Sequence, residues 1–340
     1  MKPLYKTLLL LAFITTSGTA YSQGTDKLKE LVKQGVTLND EGKYDDALAK
    51  YREALKIDPN FYNAVYETAY TLQAQGKPLD AIPYLESAIK LKPESGDAYN
   101  MIGNIYDDNK QPDKALEYYK SGIAAAPDYQ RLYFNIAITY YGQKQYADAE
   151  ANAITAIKLD PKHASSQRVF AMAANRQNKL GQSLLGWCNF LLIEPQTKRS
   201  PEAIAYVKAI INNGVKKTGE KSVTITINEK DLSSSNLLMP LTVTNATSDK
   251  KNLSATDSLT LQLTALFEIA HVITGDKDNP FVASYYSDFF EKLAKSGNMA
   301  AFTRYITLSA YKDENLAWFK EHDKELNEFD AWLKATKREF

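Results

Sequence analysis

Prolines spaced 34 residues apart constrain this chain more than any other feature. Pro59, Pro93, Pro127, Pro161 and Pro195 stand in "LKIDPNF", "IKLKPES", "IAAAPDY", "IKLDPKH" and "LLIEPQT". A proline has no N–H to donate and its ring clashes with the preceding turn, so each of these ends a helix. The fixed beat divides residues 28–197 into five equal units that begin at Leu28, Tyr62, Gly96, Gln130 and Ala164. Self-similarity at this period predicts stacked helical units, each burying its apolar face on its neighbours.

Other residue types keep the same register. A small residue is eighth in every unit: Gly35, Ala69, Gly103, Ala137 and Ala171. Helices approach closely where neither carries a bulky side chain, so this place predicts a tight crossing. Alanine recurs twentieth (Ala47, Ala81, Ala115, Ala149, then Ser183), and small residues recur twenty-seventh (Ala54, Ala88, Gly122, Ala156, then Phe190). Larger side chains hold the twenty-fourth place (Tyr51, Leu85, Tyr119, Trp187), with Ala153 the exception. Gly42, Gly76, Pro78, Pro112 and Gly142 separate the two helical halves.

Through these residues the chain resembles the tetratricopeptide repeat (TPR) family over residues 28–197. The resemblance implies helix-turn-helix units stacked in a right-handed superhelix with a concave groove that holds peptides. The expected fold is therefore all-α: a solenoid followed by a smaller helical C-terminal domain with at most a short strand element. Unit five departs from the pattern at Gln167, Gly181, Ser183, Gly186 and Phe190, and reads as a distorted terminal repeat. A capping helix over 198–214 is predicted to cover it, with Ser200 as cap, Pro201 at the first helical position and Gly214 just beyond the end.

In each unit the second, fifth, ninth and twelfth residues form one stripe of the first helix, which the resemblance places on the concave surface. Its members include Asn63, Tyr66 and Tyr70 in unit two and Asn100, Asn104 and Asp107 in unit three. Arg131, Phe134 and Tyr141 continue it in unit four, and Arg168 and Asn175 in unit five. Asn offers a donor and an acceptor to an extended backbone, and Tyr and Phe give contact area at low entropic cost. Arg131 and Arg168 have the fork geometry for a carboxylate, which biases the expected ligand toward an acidic one. Some family members hold C-terminal carboxylates with Lys and Asn at the fifth and ninth places of their opening unit. Val32 and Val36 occupy those places here, so that mode is not expected.

The first 22 residues read as a secretory signal peptide: a basic start, a short apolar run from Leu8 to Ile14, and small residues at Ala20 and Ser22. An exported protein, periplasmic or secreted, is the expectation. The whole chain carries 41 basic and 41 acidic side chains, and loss of Lys2 and Lys6 with the leader leaves a slight negative excess. Nucleic acid is not an expected partner, and no later stretch is long and apolar enough to span a membrane. With Cys188 as the single cysteine, stability must come from packing.

Beyond the repeats, residues 215–255 read as a linker with local structure. Val223, Ile225 and Ile227 alternate as in a strand, while the stretch around Pro240 is open between an edge strand and a short helix that Asn236 would cap. Residues 256–340 read as a helical domain, with Leu316, Phe319, Leu326, Phe329 and Leu333 facing inward in its last segment. Glu268 and His271 are spaced to share a helix face, but half of a carboxylate-bridged metal site is missing, and "GDKDNP" lacks the ligands of a calcium loop. His163 and His322 have no evident partner. No nucleophile elbow, phosphate loop, H-E-x-x-H or paired-cysteine pattern occurs, so neither catalytic residue, metal nor cofactor is expected. The function these features predict is a non-catalytic scaffold for a peptide or partner protein. The alternatives are an enzyme with a C-terminal active site and a structural subunit of an envelope assembly.

Overall fold

The computed structural model describes residues 25–218, 223–226 and 233–338. The proposed signal peptide and Ile227 lie outside them. The chain divides into two compact units, the first reaching Asn135 and the second starting at Ile136.

In the first unit, helices α1 (25–40), α2 (Tyr44–Ile57), α3 (Tyr62–Ala74), α4 (Pro78–Leu91), α5 (Gly96–Asp108) and α6 (Pro112–Ala125) follow the 34-residue beat; the division falls inside α7 (Gln130–Gly142). Pro78 and Pro112 open α4 and α6, where a missing N–H costs nothing. The turn between the two helices of a repeat ends in a left-handed residue, and it is the fifteenth of every unit: Gly42, Gly76, Lys110, Lys144 and Asn178. Around it the sixteenth N–H returns to the eleventh carbonyl, as in Lys77 to Leu72 and Gln111 to Tyr106, both at 2.9 Å. Gly142 is therefore not the turn residue of unit four; Lys144 is.

Inside the repeats the eighth and twenty-fourth places are complementary. A Cβ on Gly103 would lie 2.1 Å from Tyr119, and one on Gly35 would lie 2.3 Å from Tyr51, so each phenol ring lies directly on a glycine. Ala69 faces Leu85 and Ala137 faces Ala153, all four fully buried, while unit five departs from this trade-off by combining Ala171 with Trp187.

The second unit holds α8 (Tyr146–Leu159), α9 (Ala164–Arg176), α10 (Leu180–Ile193) and α11 (Ser200–Ile211). A short antiparallel hairpin follows, β1 (Val215–Lys217) with β2 (Val223–Ile225), in the register Val215 opposite Ile225. Then come α12 (Ser234–Thr247), α13 (Ala255–Glu268), α14 (Ala270–Thr274), a π-helical turn (Val282–Ser287), α15 (Asp288–Lys295), α16 (Met299–Ile306), α17 (Lys312–Glu321) and α18 (Asp323–Ala335). The local structure of residues 215–255 is this hairpin and α12. Pro240 lies inside α12, whose Met239 and Val243 are buried in the core, and Asn236 lies within the helix rather than at its cap.

The departures of repeat five have a common cause. Twelve of the 14 residues of α10 are buried. Gly181 lets the carbonyl of Ile273 come within 2.2 Å of where a Cβ would sit, and Gln182 donates to Thr274 O at 2.9 Å. Gln167, fully buried, donates to Tyr285 Oη and accepts from Tyr286 Oη at 2.5 Å. Arg338 lies over the Phe289 ring, 3.5 Å from its centroid, and donates to Asn189 of α10. On another side of α10, Trp187 stacks on Tyr206 of α11 at 4.7 Å. The repeat is therefore not a distorted end but the element onto which the C-terminal helices pack. Ser200 takes part in the turn before α11, accepting from Thr197 N and donating to Glu194 O, rather than capping that helix. Farther on, Phe267, Phe290, Phe302 and Phe329 form an aromatic core. Leu316 points outward, 40% exposed, because the last segment breaks at His322 into two helices instead of running as one.

Two outcomes follow for stability. Gly181→Ala forces a methyl into a backbone carbonyl and is expected to cost about 2–3 kcal/mol in urea unfolding. Lys110→Gly and Lys144→Gly relieve left-handed strain and are each expected to gain roughly 0.5–1 kcal/mol.

Candidate binding faces

In the first unit the predicted stripe is open to solvent. Asn63 and Arg131 are exposed, Tyr70 is 48% exposed, and Tyr66, Asn100, Asn104, Asp107 and Phe134 are half-buried. Residues one repeat apart lie side by side, which builds a ladder of polar contacts across the first helices. Asn135 Nδ2 donates to Asn100 Oδ1 at 2.7 Å and to Asn104 Oδ1 at 2.8 Å. Asn104 Oδ1 also accepts from the Tyr119 hydroxyl at 2.8 Å. Both carbonyls thus accept hydrogen bonds from within the protein. Asn135 is sixth in its unit, outside the predicted stripe. Its signal in the sequence is its spacing of 35 and 31 residues from the two asparagines it orients.

Further along the same face, Tyr129 donates to Asp97, and Tyr62 stacks on Tyr66 at 5.9 Å. Burial and then the Asp97 carboxylate push the Tyr66 phenol well up; burial and that same carboxylate raise Tyr129 to about 12, with Arg131 beside it acting in the opposite sense. Toward the start of the unit, Thr71 donates to Asn39 Oδ1 at 2.9 Å. Glu67 is half-buried and its carboxyl is held above the ordinary carboxylate value, first by burial and then by the Asp40 charge. Beneath them the Tyr51 phenol is raised to about 12, again mainly by burial, with Glu67 and Asp40 adding to it and the nearby Thr71 hydroxyl opposing.

In the second unit the predicted residues are committed to contacts of their own. Arg168 Nη2 donates to both Glu202 oxygens, at 3.1 and 3.4 Å, so one nitrogen of the guanidinium expected to meet a ligand carboxylate already pairs with a carboxylate of α11, while its Nε is buried without a partner. The Tyr141 hydroxyl accepts from Arg176 Nε at 3.2 Å, and its ring meets Tyr146 at 5.4 Å. Asn175 is half-buried. His271 does not pair with Glu268. Its Nδ1 is 3.0 Å from Asp276 and its Nε2 is 3.0 Å from Asp288, with Glu291 at 3.7 Å. His163 meets Ser166 Oγ at 2.8 Å, and His322 Nδ1 lies 2.9 Å from Trp318 O. Cys188 is fully buried, and burial pushes its thiol well up, away from the reactive thiolate. Among the described residues no group of three His, Cys, Asp or Glu is placed to hold a metal, and no helix is long and apolar enough to cross a membrane.

Comparison with known proteins agrees with the repeat geometry. Three family models match: a TPR repeat over residues 35–76 and tetratricopeptide repeats over 66–129 and 108–175. No curated protein matches. Among solved structures, PilF of Pseudomonas aeruginosa is 16% identical, with 56% of this chain and 91% of that one covered, at a TM-score of 0.48. MamA (41–end) of Desulfovibrio magneticus RS-1 is 21% identical over 50% and 96%, at 0.44. YrrB, described as a TPR protein with an unusual peptide-binding site, is 18% identical over 56% and 97%, at 0.44. Together the three tetratricopeptide-repeat matches span residues 35–175 of this chain.

Proposed function

We propose that this chain is an exported, non-catalytic scaffold whose first unit holds an extended segment of a partner protein on the face formed by α3, α5 and the start of α7. The observation that carries the reading is the asparagine ladder. Asn135 fixes Asn100 and Asn104 by their carbonyls, so their amide donors are pre-oriented toward whatever lies on the face. Fixed donors bind a peptide backbone without paying again to order the side chains. Tyr70 and Asn63 stand exposed on the neighbouring helix and supply contact area and a further amide. The leader sequence supports export, and the absence of catalytic motifs supports a binding role.

A photo-crosslinking residue placed at Tyr70 is expected to capture the partner, and one at Tyr84, comparably exposed at 38% on α4, is not. Capture at Tyr84 alone would place the binding face on the second helices and sink the reading. Asn135→Ala removes two hydrogen bonds without touching a ligand. It is expected to lower stability by about 1 kcal/mol and to weaken partner binding roughly 5-fold, as read by denaturation and titration.

A further inference from the structure

We propose that Asn189, Tyr285 and Phe289 form a recognition site for a guanidinium group, which Arg338 of the same chain fills and which an arginine of a partner protein takes by exchange. The site lies wholly in the second unit and does not depend on the first-unit face. Asn189 comes from α10 of repeat five, Tyr285 from the π-helical turn and Phe289 from α15, and each is only 2–3% exposed. The Arg338 guanidinium lies 3.5 Å from the Phe289 ring centroid and 4.9 Å from that of Tyr285, and its Nη1 donates to Asn189 Oδ1 at 2.5 Å. Two aromatic faces and one carbonyl oxygen suit a flat, weakly hydrated cation, whereas a compact ammonium loses more on leaving water.

Contacts within the second unit hold the walls of the site. Gln167 Nε2 donates to the Tyr285 hydroxyl at 3.1 Å, and that hydroxyl donates to Pro161 O at 3.4 Å. Asn189 Nδ2 is directed at the same hydroxyl at 3.5 Å, which leaves the Asn189 oxygen for the guanidinium. Phe289 is backed by Trp332 of α18 at 5.3 Å. The π-helical turn brings the neighbouring Tyr285 and Tyr286 both to Gln167 of repeat five. Such turns are uncommon and recur at functional sites.

Two features make Arg338 an exchangeable occupant. Among the described residues it forms no ion pair, so the cation is held without a carboxylate. Burial pulls the guanidinium below its ordinary value, and the Tyr285 and Tyr286 phenols act in the opposite sense. The segment that carries it is also lightly tied. Helix α18 ends at Ala335, where Thr336 N and Oγ1 both donate to Trp332 O. Beyond that point no backbone hydrogen bond holds Lys337 or Arg338 among the described residues. Lys337 is exposed and Arg338 half-buried, so the mouth of the site opens at the surface. One side chain thus anchors the segment, and its release uncovers both rings and the Asn189 oxygen together. An uncovered buried oxygen is costly, and an incoming guanidinium satisfies it again.

The test uses the full chain and a fluorescein-labelled glycine pentapeptide with one central arginine, beside its lysine counterpart, read by anisotropy. The wild-type chain is expected to bind the arginine peptide. Arg338→Ala should bind it about 10-fold tighter, because the competing side chain is gone, and should bind the lysine peptide about 5-fold more weakly than the arginine one. Adding Phe289→Leu to Arg338→Ala should weaken the arginine peptide about 5-fold, with Phe319→Leu on α17 without effect. Arg338→Gln keeps the length of the side chain without its charge and gives the same ordering if Arg338→Ala does not fold. Equal affinity for the two peptides, no gain in either Arg338 variant, or no loss with Phe289→Leu would overturn the site. Binding confined to the variants, with none to the wild-type chain, would make Arg338 a fixed part of the core and overturn the exchange. A concentration-dependent dimer that Arg338→Ala abolishes would assign the incoming arginine to a second copy and overturn the partner.

Discussion

The close crossing of the two helices within a repeat governs what the rest of the structure can present. The space between them is fixed, and the eighth and twenty-fourth residues share it: Gly35 with Tyr51, Ala69 with Leu85, Gly103 with Tyr119, Ala137 with Ala153. Interiors tolerate neither overlap nor voids, so a large residue on one side requires a small one opposite. Packing in this pattern has a consequence at the surface. Units one and three fill the space with tyrosine, so a buried phenol hydroxyl enters the repeat there, whereas leucine and alanine bring none. In unit three that hydroxyl donates to the ninth residue, Asn104, at 2.8 Å, whereas in unit one the ninth residue is Val36 and the Thr71 hydroxyl lies near Tyr51 instead.

Repeat five uses the same frame for a different end. Gly181 and Gly186 remove side chains where other atoms must come close, the first opposite the Ile273 carbonyl and the second against Phe170 and Ala171. Ser183, in the alanine place, turns its hydroxyl back to Ala171 O at 2.8 Å. Gln167 replaces an apolar side chain with one that serves two tyrosine hydroxyls of the π-helical turn. A buried glutamine is tolerated only when its polar atoms are matched, and here both its nitrogen and its oxygen are. The apolar end of the repeats is thus covered by the chain's own C-terminal helices as well as by α11.

The repeats were legible in the sequence because their constraints are local and periodic: a helix stop, a turn and a small residue at fixed offsets. The left-handed turn residue was legible only where it is glycine; Lys110, Lys144 and Asn178 hold the same conformation through the backbone bonds around them. Helix α12 was obscured by Pro240, which a propensity argument assigns to a break. The hairpin strand β1 is three residues long and has no alternation to read. For the proposed binding face, sequence spacing picks out a stripe of positions but not the contacts that its side chains already make inside the protein. Asn135 escaped because it points along the ladder from the sixth place, and repeat five looked degenerate because its partners lie about 120 residues later, as with Gln167 and Tyr286 at a separation of 119.

Charge on a binding face is decided by what remains after the protein has satisfied itself. Arginines are conspicuous in a sequence and invite an acidic ligand, yet a guanidinium with a carboxylate from the next helix already in its fork has little left to offer. Arg168 is partly in that position, with Nη2 on both Glu202 oxygens and Nε buried without a partner. A half-buried carboxyl with a second carboxylate near it is the reverse case, because burial and the like charge both disfavour its ionised form. Glu67, sixth in its unit and half-buried, has its carboxyl held above the ordinary carboxylate value first by burial and then by the Asp40 charge. The geometry that makes the repeat stack also sets the chemistry it leaves open.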